Sequence, residues 1–256
     1  MTDIAPPPQP SIPTLVVVAD QDEVTDLIPA NADVVWQVPS SGANEQMAWK
    51  FDNLVVVVTG SGGPAIAAVT ARFLAEAPLV RPFEQVVNFG SCGRYSWSEQ
   101  TELCGAYFVS ESREWDLSFN FRGWEYANAP MRIARPPHVD AAADPVSVDR
   151  VTADRVTCFS GGRYSTPADR HWPMWLEGDV EEYELYAIAW LCLELGVPLA
   201  GIKFVTNSPG ADATADKAKY MAKARKAGTD LLRSYLAGEL GYVDAAPVNL
   251  AAASPD

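Results

Sequence analysis

Runs of consecutive apolar residues, rather than alternating ones, mark the first half of the chain. Residues 15–19 and 54–58 are two such runs, both rich in valine. A continuous apolar run bounded by turn residues is typical of a strand buried on both faces of a sheet. Further strands are predicted on the same grounds at 85–93, 106–112, 156–162 and 197–207.

Three other segments have apolar positions at helical spacing. Residues 64–77 follow a glycine-rich turn directly, and 213–236 carry most of their charge on one face. Residues 179–196 begin with acidic side chains, which suit the positive end of a helix dipole, and stop at Gly196. Because strands and helices alternate, we expect an α/β fold, a single domain with a central mixed β-sheet flanked by helices.

The two ends of the chain differ from this pattern. Residues 1–13 are proline-rich and polar, which predicts a flexible N-terminal arm before a domain at 14–240. Residues 241–256 are rich in alanine and proline and are expected to form a loose tail. No basic and apolar segment of a secretory signal precedes the domain, and no apolar run approaches the ~20 residues of a membrane helix. We therefore expect a cytoplasmic protein with no membrane partner.

Charge narrows the classes of partner. The 256 residues include 19 Lys and Arg against 33 Asp and Glu, a formal net charge of −14. Such acidity argues against a nucleic-acid binder, which needs clustered cations to neutralise phosphates. The four cysteines have no CxxC spacing and there are only two histidines, so we expect reduced thiols and no metal site.

Polar residues near the predicted strand ends are the candidates for chemistry. Glu23 follows the first strand and Asn207 ends the strand at 197–207. Ligands in open α/β sheets bind beyond the carboxyl ends of strands. The turn NFGSCGRYS at 88–96 has backbone amides and the Ser91 hydroxyl that could hold a sugar or a water, although a structural turn explains it equally well.

Two further motifs contain groups that could bind an anion or a sugar. Glu184 lies among apolar neighbours, so its carboxylate could point inward, where it would need hydrogen-bond donors such as ribose hydroxyls. These residues alone favour the other interpretation, a solvated acidic helix cap. The turn TGSGGPAIAA at 59–68 is neither a P-loop nor a GxGxxG fingerprint, so it is read as a tight turn or as a ring of backbone amides around an anion.

The order of these motifs resembles the purine nucleoside phosphorylase/uridine phosphorylase superfamily, and most of all its nucleosidase branch, which includes methylthioadenosine/S-adenosylhomocysteine nucleosidase and futalosine hydrolase. The resemblance runs from about 14 to 236. Its most specific part is the gap-free segment EYELYAIAWLCLELGVPLAGIKFVTN; the others are DQDEV, VVVVTGSGGPAIAA, VVNFGSCGRY and TCFSGGRY. It implies a three-layer nucleoside phosphorylase-like sandwich, a small-molecule nucleoside as partner, no cofactor, and a homo-oligomer, dimer or larger.

The resemblance also implies roles on the water side of the site. Glu23 falls on the carboxylate that orients or deprotonates the attacking water. Ser91 falls on the serine beside that water and the sugar, within a turn where Gly90 and Cys92 also line the substrate. Lys203 falls on an arginine near the water.

On the nucleoside side, the resemblance places Tyr164 on the aromatic that stacks on the base. Tyr183 and Glu184 fall on the Met-Glu pair that packs under and hydrogen-bonds the ribose. Asn207 falls on the aspartate that protonates purine N7. An amide cannot give up that proton but can donate N–H bonds, so Asn207 favours an oxo-base, such as a 6-oxopurine, over adenine.

The residues that would hold phosphate distinguish hydrolysis from phosphorolysis. The phosphorylases of the family hold phosphate with two arginines, one in an early turn and one just before GSCG. Here those places read VADQDEV and Asn88-Phe89, without arginine. We therefore expect a nucleosidase that hydrolyses the N-glycosidic bond of a purine nucleoside. Two alternatives stay open: a phosphorylase, whose version of the turn also has the cysteine of GSCG, and a non-catalytic nucleoside-binding member.

Overall fold

A computed structural model describes residues 14–38, 46–77, 83–114, 131–132, 155–161, 178–208, 212–237 and 249–250. Three helices lie in this part of the chain: α1 (Gly63–Glu76), α2 (Leu185–Leu195) and α3 (Ala213–Leu236), besides a single 3-10 turn at Gln21–Glu23. The strands are β1 (Thr14–Val18), β2 (Asp33–Val38), β3 (Gln46–Phe51), β4 (Leu54–Val58), β5 (Gln85–Arg94), β6 (Ala106–Glu114), β7 (Met131–Arg132), β8 (Arg155–Ser160), β9 (Val180–Glu182), β10 (Leu199–Asn207) and β11 (Asn249–Leu250).

All the described strands belong to one mixed sheet, part of which closes on itself. Strand β5 pairs with β10, β10 with β6, β6 with β8, β8 with β9, and β9 again with β5. From β5 the sheet continues through the parallel strands β1 and β4 to the antiparallel β3 and β2. The closed part gathers the ends of β5, β9 and β10 in one place.

Both faces of the sheet are covered, which confirms the three-layer α/β prediction. Successive strand residues point to opposite faces. Leu15 and Val17 therefore pack with α1 and α2, whereas Val16 and Val18 pack in a second core with α3. Each core buries a row of valines. The continuous apolar runs in the sequence reflect this two-sided burial.

One predicted helix boundary is wrong. The acidic segment at 179–182 is not the first turn of a helix, because Val180–Glu182 forms β9 between β5 and β8. Helix α2 begins only at Leu185 and ends, as predicted, at Gly196, whose φ of 64° is left-handed. The hairpin of β2 and β3 was not predicted. Helix α3 has the predicted bounds.

The predicted arm and tail lie almost entirely outside the described residues. Residues 1–13 and all of 241–256 except 249–250 are outside the described residues, so the arm, the tail and the domain limits stay predictions. Among the described helices, none combines the length and the apolar character needed to cross a membrane.

Candidate active site

Strand β5 is the axis of the candidate site. Gly90 lies opposite Lys203 on β10, and Gly93 lies opposite Asn207 on the same strand. On its other side, Gly93 is paired with Glu181 of β9. The glycines remove side chains from the strand where neighbouring strands bring polar ones. The predicted strand-end residues therefore meet around the second half of β5.

Glu23 and Ser91 form the tightest part of this arrangement. Glu23 is 3% exposed and lies in the turn that follows β1. Its Oε1 accepts two hydrogen bonds of 2.7 Å, one from the Ser91 backbone N–H and one from the Ser91 hydroxyl. Its Oε2 accepts only a longer bond of 3.3 Å, from the N–H of Asp20. Oε2 therefore keeps acceptor capacity for another donor.

Gly90 makes room for that carboxylate. A Cβ at this position would lie 3.0 Å from Oε2 and 3.2 Å from Oε1 of Glu23, closer than nearly all real Cβ contacts. Glycine is favoured here by this close approach and not by its backbone angles. The substrate-lining role that the resemblance implies for Gly90 stays a prediction.

Glu184 is buried, so the solvated cap that its local sequence favours is wrong and the inward-pointing alternative holds. Its Oε1 accepts a 2.8 Å bond from the backbone N–H of Gly62, at the start of α1. One backbone amide of the glycine-rich turn therefore does bind an anion, and the anion is a carboxylate of the same chain. Burial, together with the charge of Glu182, raises the pKa of Glu184 to about 7.

Glu182 and Lys203 form a buried ion pair, with Nζ 2.8 Å from Oε2 and both side chains 1% exposed. Burial opposes ionisation of both groups, but their mutual attraction lowers the pKa of Glu182 and raises that of Lys203. The carboxylate of Glu182 also accepts from the N–H groups of Glu184 and Leu185 and from the Ser160 hydroxyl. It thereby fixes the chain that presents Glu184.

The ion pair with Glu182 changes the role expected of Lys203. The resemblance implied an ammonium near the water, and the structure places Nζ on Glu182. Glu182 itself was missed by sequence reasoning, because the acidic run was assigned to a helix. The sequence did contain a signal, because two glutamates stand directly before an apolar helix. If that segment is a strand, the two side chains point to opposite faces, and each needs a separate environment.

Asn207 has a donor without a partner. Its Oδ1 accepts a 2.8 Å bond from the Thr206 hydroxyl. Its Nδ2 is buried and has no hydrogen-bond partner among the described residues. A Cβ on Gly93 would lie 3.0 Å from this Nδ2, so the amide points at the bare Cα of the glycine. A buried polar group normally has a partner, so this N–H group is a candidate for contact with a ligand.

The remaining predicted site residues are less directly placed. The thiol of Cys92 packs in the core with α1 and α2, and burial raises its pKa well above the usual range, so it stays protonated. Tyr183 is half-buried, and its N–H lies 3.3 Å from Oε2 of Glu184. Tyr164 lies outside the described residues, and its stacking role stays a prediction.

The charge balance of the site is strongly negative. Four buried carboxylates lie along β9, the start of α2 and the turn after β1, namely Glu23, Glu181, Glu182 and Glu184. In the described part of the chain, Lys203 is the only buried lysine or arginine, and Glu182 already holds it. No group of three or more potential metal ligands occurs among the same residues.

Comparison with known sequences identifies the family of this chain. The sequence model of the Phosphorylase superfamily matches residues 13–237, nearly the whole chain, and the chain belongs to this family. No sequence among the curated proteins matches it.

Solved structures share the fold at low sequence identity. The 5′-methylthioadenosine/S-adenosylhomocysteine nucleosidase of Neisseria meningitidis, in complex with methylthio-immucillin-A, is 18% identical with a TM-score of 0.68, covering 89% of this chain and 100% of its own. Futalosine hydrolase of Helicobacter pylori is 14% identical with a TM-score of 0.68, covering 88% and 97%. The 5′-methylthioadenosine nucleosidase of Arabidopsis thaliana is 14% identical with a TM-score of 0.67, covering 91% and 97%.

Proposed function

We propose that this protein is a nucleosidase that hydrolyses the N-glycosidic bond of a purine nucleoside, preferably a 6-oxopurine nucleoside, to the free base and a ribose moiety. The observation that carries the proposal is the buried Glu23 held by Ser91. It lies in a site whose one buried cation, within the described ranges, is already paired. Inorganic phosphate would meet carboxylates there, whereas water would meet a hydrogen-bond acceptor.

Family membership supports this class of reaction. The similar structures include nucleosidases and a futalosine hydrolase, which share the fold with this chain. Their identity is below 20%, so the choice of substrate has to be argued from this chain's own residues.

Glu23 is the proposed activator of water. Ser91 fixes Oε1 with two bonds, so the carboxylate cannot turn freely, and Oε2 retains acceptor capacity. Oε2 takes a proton from water as the water oxygen bonds to the anomeric carbon. The bond from that carbon to the base nitrogen breaks with its electron pair on the base, which leaves as an anion and takes a proton from solvent. A positioned general base of this kind contributes typically ~10²–10⁴-fold to the rate.

Glu184 is the proposed ribose ligand. Its carboxylate lies at the entrance of helix α2, held by Gly62 and by the chain that Glu182 fixes. In the ionised form it accepts hydrogen bonds from the ribose 2′ and 3′ hydroxyls. It also stabilises the positive charge that develops on the sugar as the glycosidic bond breaks, as preorganised charge does in enzyme sites.

Asn207 is the proposed ligand of the base edge. Its unpartnered Nδ2 donates to an acceptor of the base, and the bond strengthens as negative charge builds on the leaving group. An amide gives no proton, so a base that already places negative charge on an exocyclic oxygen is the better leaving group here. This is the reason for preferring a 6-oxopurine.

The test is base release, followed by chromatography, from inosine, guanosine, adenosine, methylthioadenosine, futalosine and pyrimidine nucleosides, with and without phosphate. We expect a free base and a free sugar without phosphate, fastest with a 6-oxopurine. Release only with phosphate, giving a sugar 1-phosphate, would instead establish a phosphorylase. Binding without release from any nucleoside would establish a non-catalytic family member.

The state in which the enzyme works is also part of the proposal. We expect a cytoplasmic homo-oligomer, a dimer or larger. Light scattering coupled to gel filtration measures the mass in solution, and a mass of 27.7 kDa, that of one chain, would contradict the oligomer.

A further inference from the structure

Glu181 is a buried carboxylate that the mechanism above does not use. It is 4% exposed and lies on β9, next to Glu182. Because neighbouring strand residues point to opposite faces, the two glutamates serve different environments. Glu182 turns to Lys203 and Ser160, whereas Glu181 turns to β5.

Gly93 brings Glu181 and Asn207 together. This glycine is paired with Glu181 on one side and with Asn207 on the other. A Cβ built on it would lie 3.0 Å from Nδ2 of Asn207 and 3.5 Å from Cγ of Glu181. The two side chains therefore flank the same bare Cα, one from each neighbouring strand.

The two groups have complementary hydrogen-bonding characters. The Oδ1 of Asn207 is taken by Thr206, so its amide presents a donor at this place. The Oε2 of Glu181 accepts a 3.0 Å bond from the hydroxyl of Tyr95, which is fully buried and stacked on Trp97. That bond holds the carboxylate as an acceptor beside the amide. A fitting ligand offers an acceptor next to an N–H.

We infer that Glu181 is a specificity-determining residue that accepts the N–H of a lactam in the base, while Asn207 donates to the adjacent carbonyl oxygen. In a 6-oxopurine these atoms are N1–H and O6, neighbours through one carbon. The inference rests on the proposed function, because it assigns the base to the Gly93 end of the site. It goes further by naming the group that selects the base.

The expected effect is on choice of base and not on the chemical step. A hydrogen bond to a charged group contributes about 1.5–3 kcal/mol, which corresponds to roughly 10–150-fold in affinity. As the base departs with negative charge, a neighbouring carboxylate gives it no extra stabilisation. Glu181 therefore acts when the base is recognised.

Binding of free bases tests this without requiring turnover. Calorimetry compares hypoxanthine with 1-methylhypoxanthine, which lacks the N1–H, on the wild-type protein and on Glu181→Met. We expect wild type to prefer hypoxanthine at least tenfold and Glu181→Met to lose that preference. Glu181→Gln, which keeps an acceptor oxygen, should restore part of it. Glu99→Met, at an exposed position, controls for the lost charge.

The outcomes separate the inference from the proposed function. An unchanged preference in Glu181→Met, or no preference in wild type, would overturn the role of Glu181 while leaving base release intact. Tighter binding of adenine than of hypoxanthine would overturn the lactam. Discrimination that depends on Glu181, without any base release, would support the inference and remove the hydrolase. If no base binds, both fail.

Discussion

Gly90 and Gly93 lie three residues apart on strand β5, and the polar side chains next to them differ in how fully they are hydrogen-bonded. At Gly90, the carboxylate of Glu23 is fixed by two bonds from Ser91 in the free protein. At Gly93, the amide of Asn207 has a buried N–H group with no partner in the described part of the chain. Both glycines leave room for the functional side chain at the same distance of 3.0 Å.

The two ends of the site therefore differ in whether protein groups already satisfy the functional side chain. At the Gly90 end, the proposed acceptor for water is already held by protein groups. An unpartnered buried donor costs about 1–3 kcal/mol until something bonds to it. In the proposed function, the base supplies the missing partner at the Gly93 end. Four sets of experiments, given below, test these assignments.

The largest effect on activity is expected for Glu23→Gln. The amide cannot accept the proton of water, so turnover should fall by roughly 10²–10⁴-fold while nucleoside binding persists. Steady-state kinetics and calorimetry on one preparation measure both quantities. Asp22→Asn, an exposed neighbour in the same turn, is the matched control and should keep full activity. Unchanged turnover in Glu23→Gln would reject the water-activating role.

The largest effect on stability is expected for Lys203→Met. It leaves the charge of Glu182 buried without its cation, and breaking a buried pair in this way costs about 3–5 kcal/mol. Urea unfolding measures the loss. Adding Glu182→Gln to Lys203→Met should recover part of it, and Lys203→Arg should lose much less. If Lys203→Met is as stable as wild type, the pair does not stabilise the fold.

Glu184 predicts a pH dependence. With its pKa near 7, raised by burial and by Glu182, kcat/KM should fall about tenfold per unit below pH 7 as the ribose acceptor is protonated. Protonation favours the folded state, so the free energy of unfolding should fall from pH 4.5 to about 7 and then level off. Glu184→Gln should lose both trends. If kcat/KM of Glu184→Gln still rises with pH below pH 7, the group that titrates is not Glu184.

The smallest effects are expected from the two glycines themselves. Gly90→Ala crowds the carboxylate of Glu23, so it should lower kcat several-fold with little change in KM. Gly93→Ala crowds Asn207 and the base, so it should raise KM and blunt the choice between inosine and adenosine. Kinetics on both substrates compare the pair directly. Identical patterns in the two variants would mean that the ends of the site are not separate.

Much of the fold could be predicted because burial leaves a strong trace. Valine runs buried on two faces predicted β1 and β4, and the polar-faced spacing predicted α3. The acidic segment at 179–182 failed for a physical reason. Its glutamates are buried in strand β9 by partners distant in sequence, Lys203 and Tyr95, and no local pattern carries that information.

The candidate site divides in the same way. Glu23, Ser91 and Glu184 follow from motifs, and their hydrogen bonds agree with polar roles. The use of Gly62 to hold Glu184 and the meeting of Glu181 with Asn207 depend on strand pairing. Such contacts depend on which strands pair in the folded sheet, and local sequence patterns do not specify that pairing.

The most direct test of the account is the rate of hypoxanthine release from inosine as phosphate is raised from zero, in wild type and in Glu23→Gln. The account predicts a wild-type rate that is already full without phosphate and does not rise with it, with free ribose as the sugar product and a rate in Glu23→Gln lower by at least a hundredfold. A wild-type rate that is zero without phosphate and grows in proportion to it would contradict hydrolysis by this site.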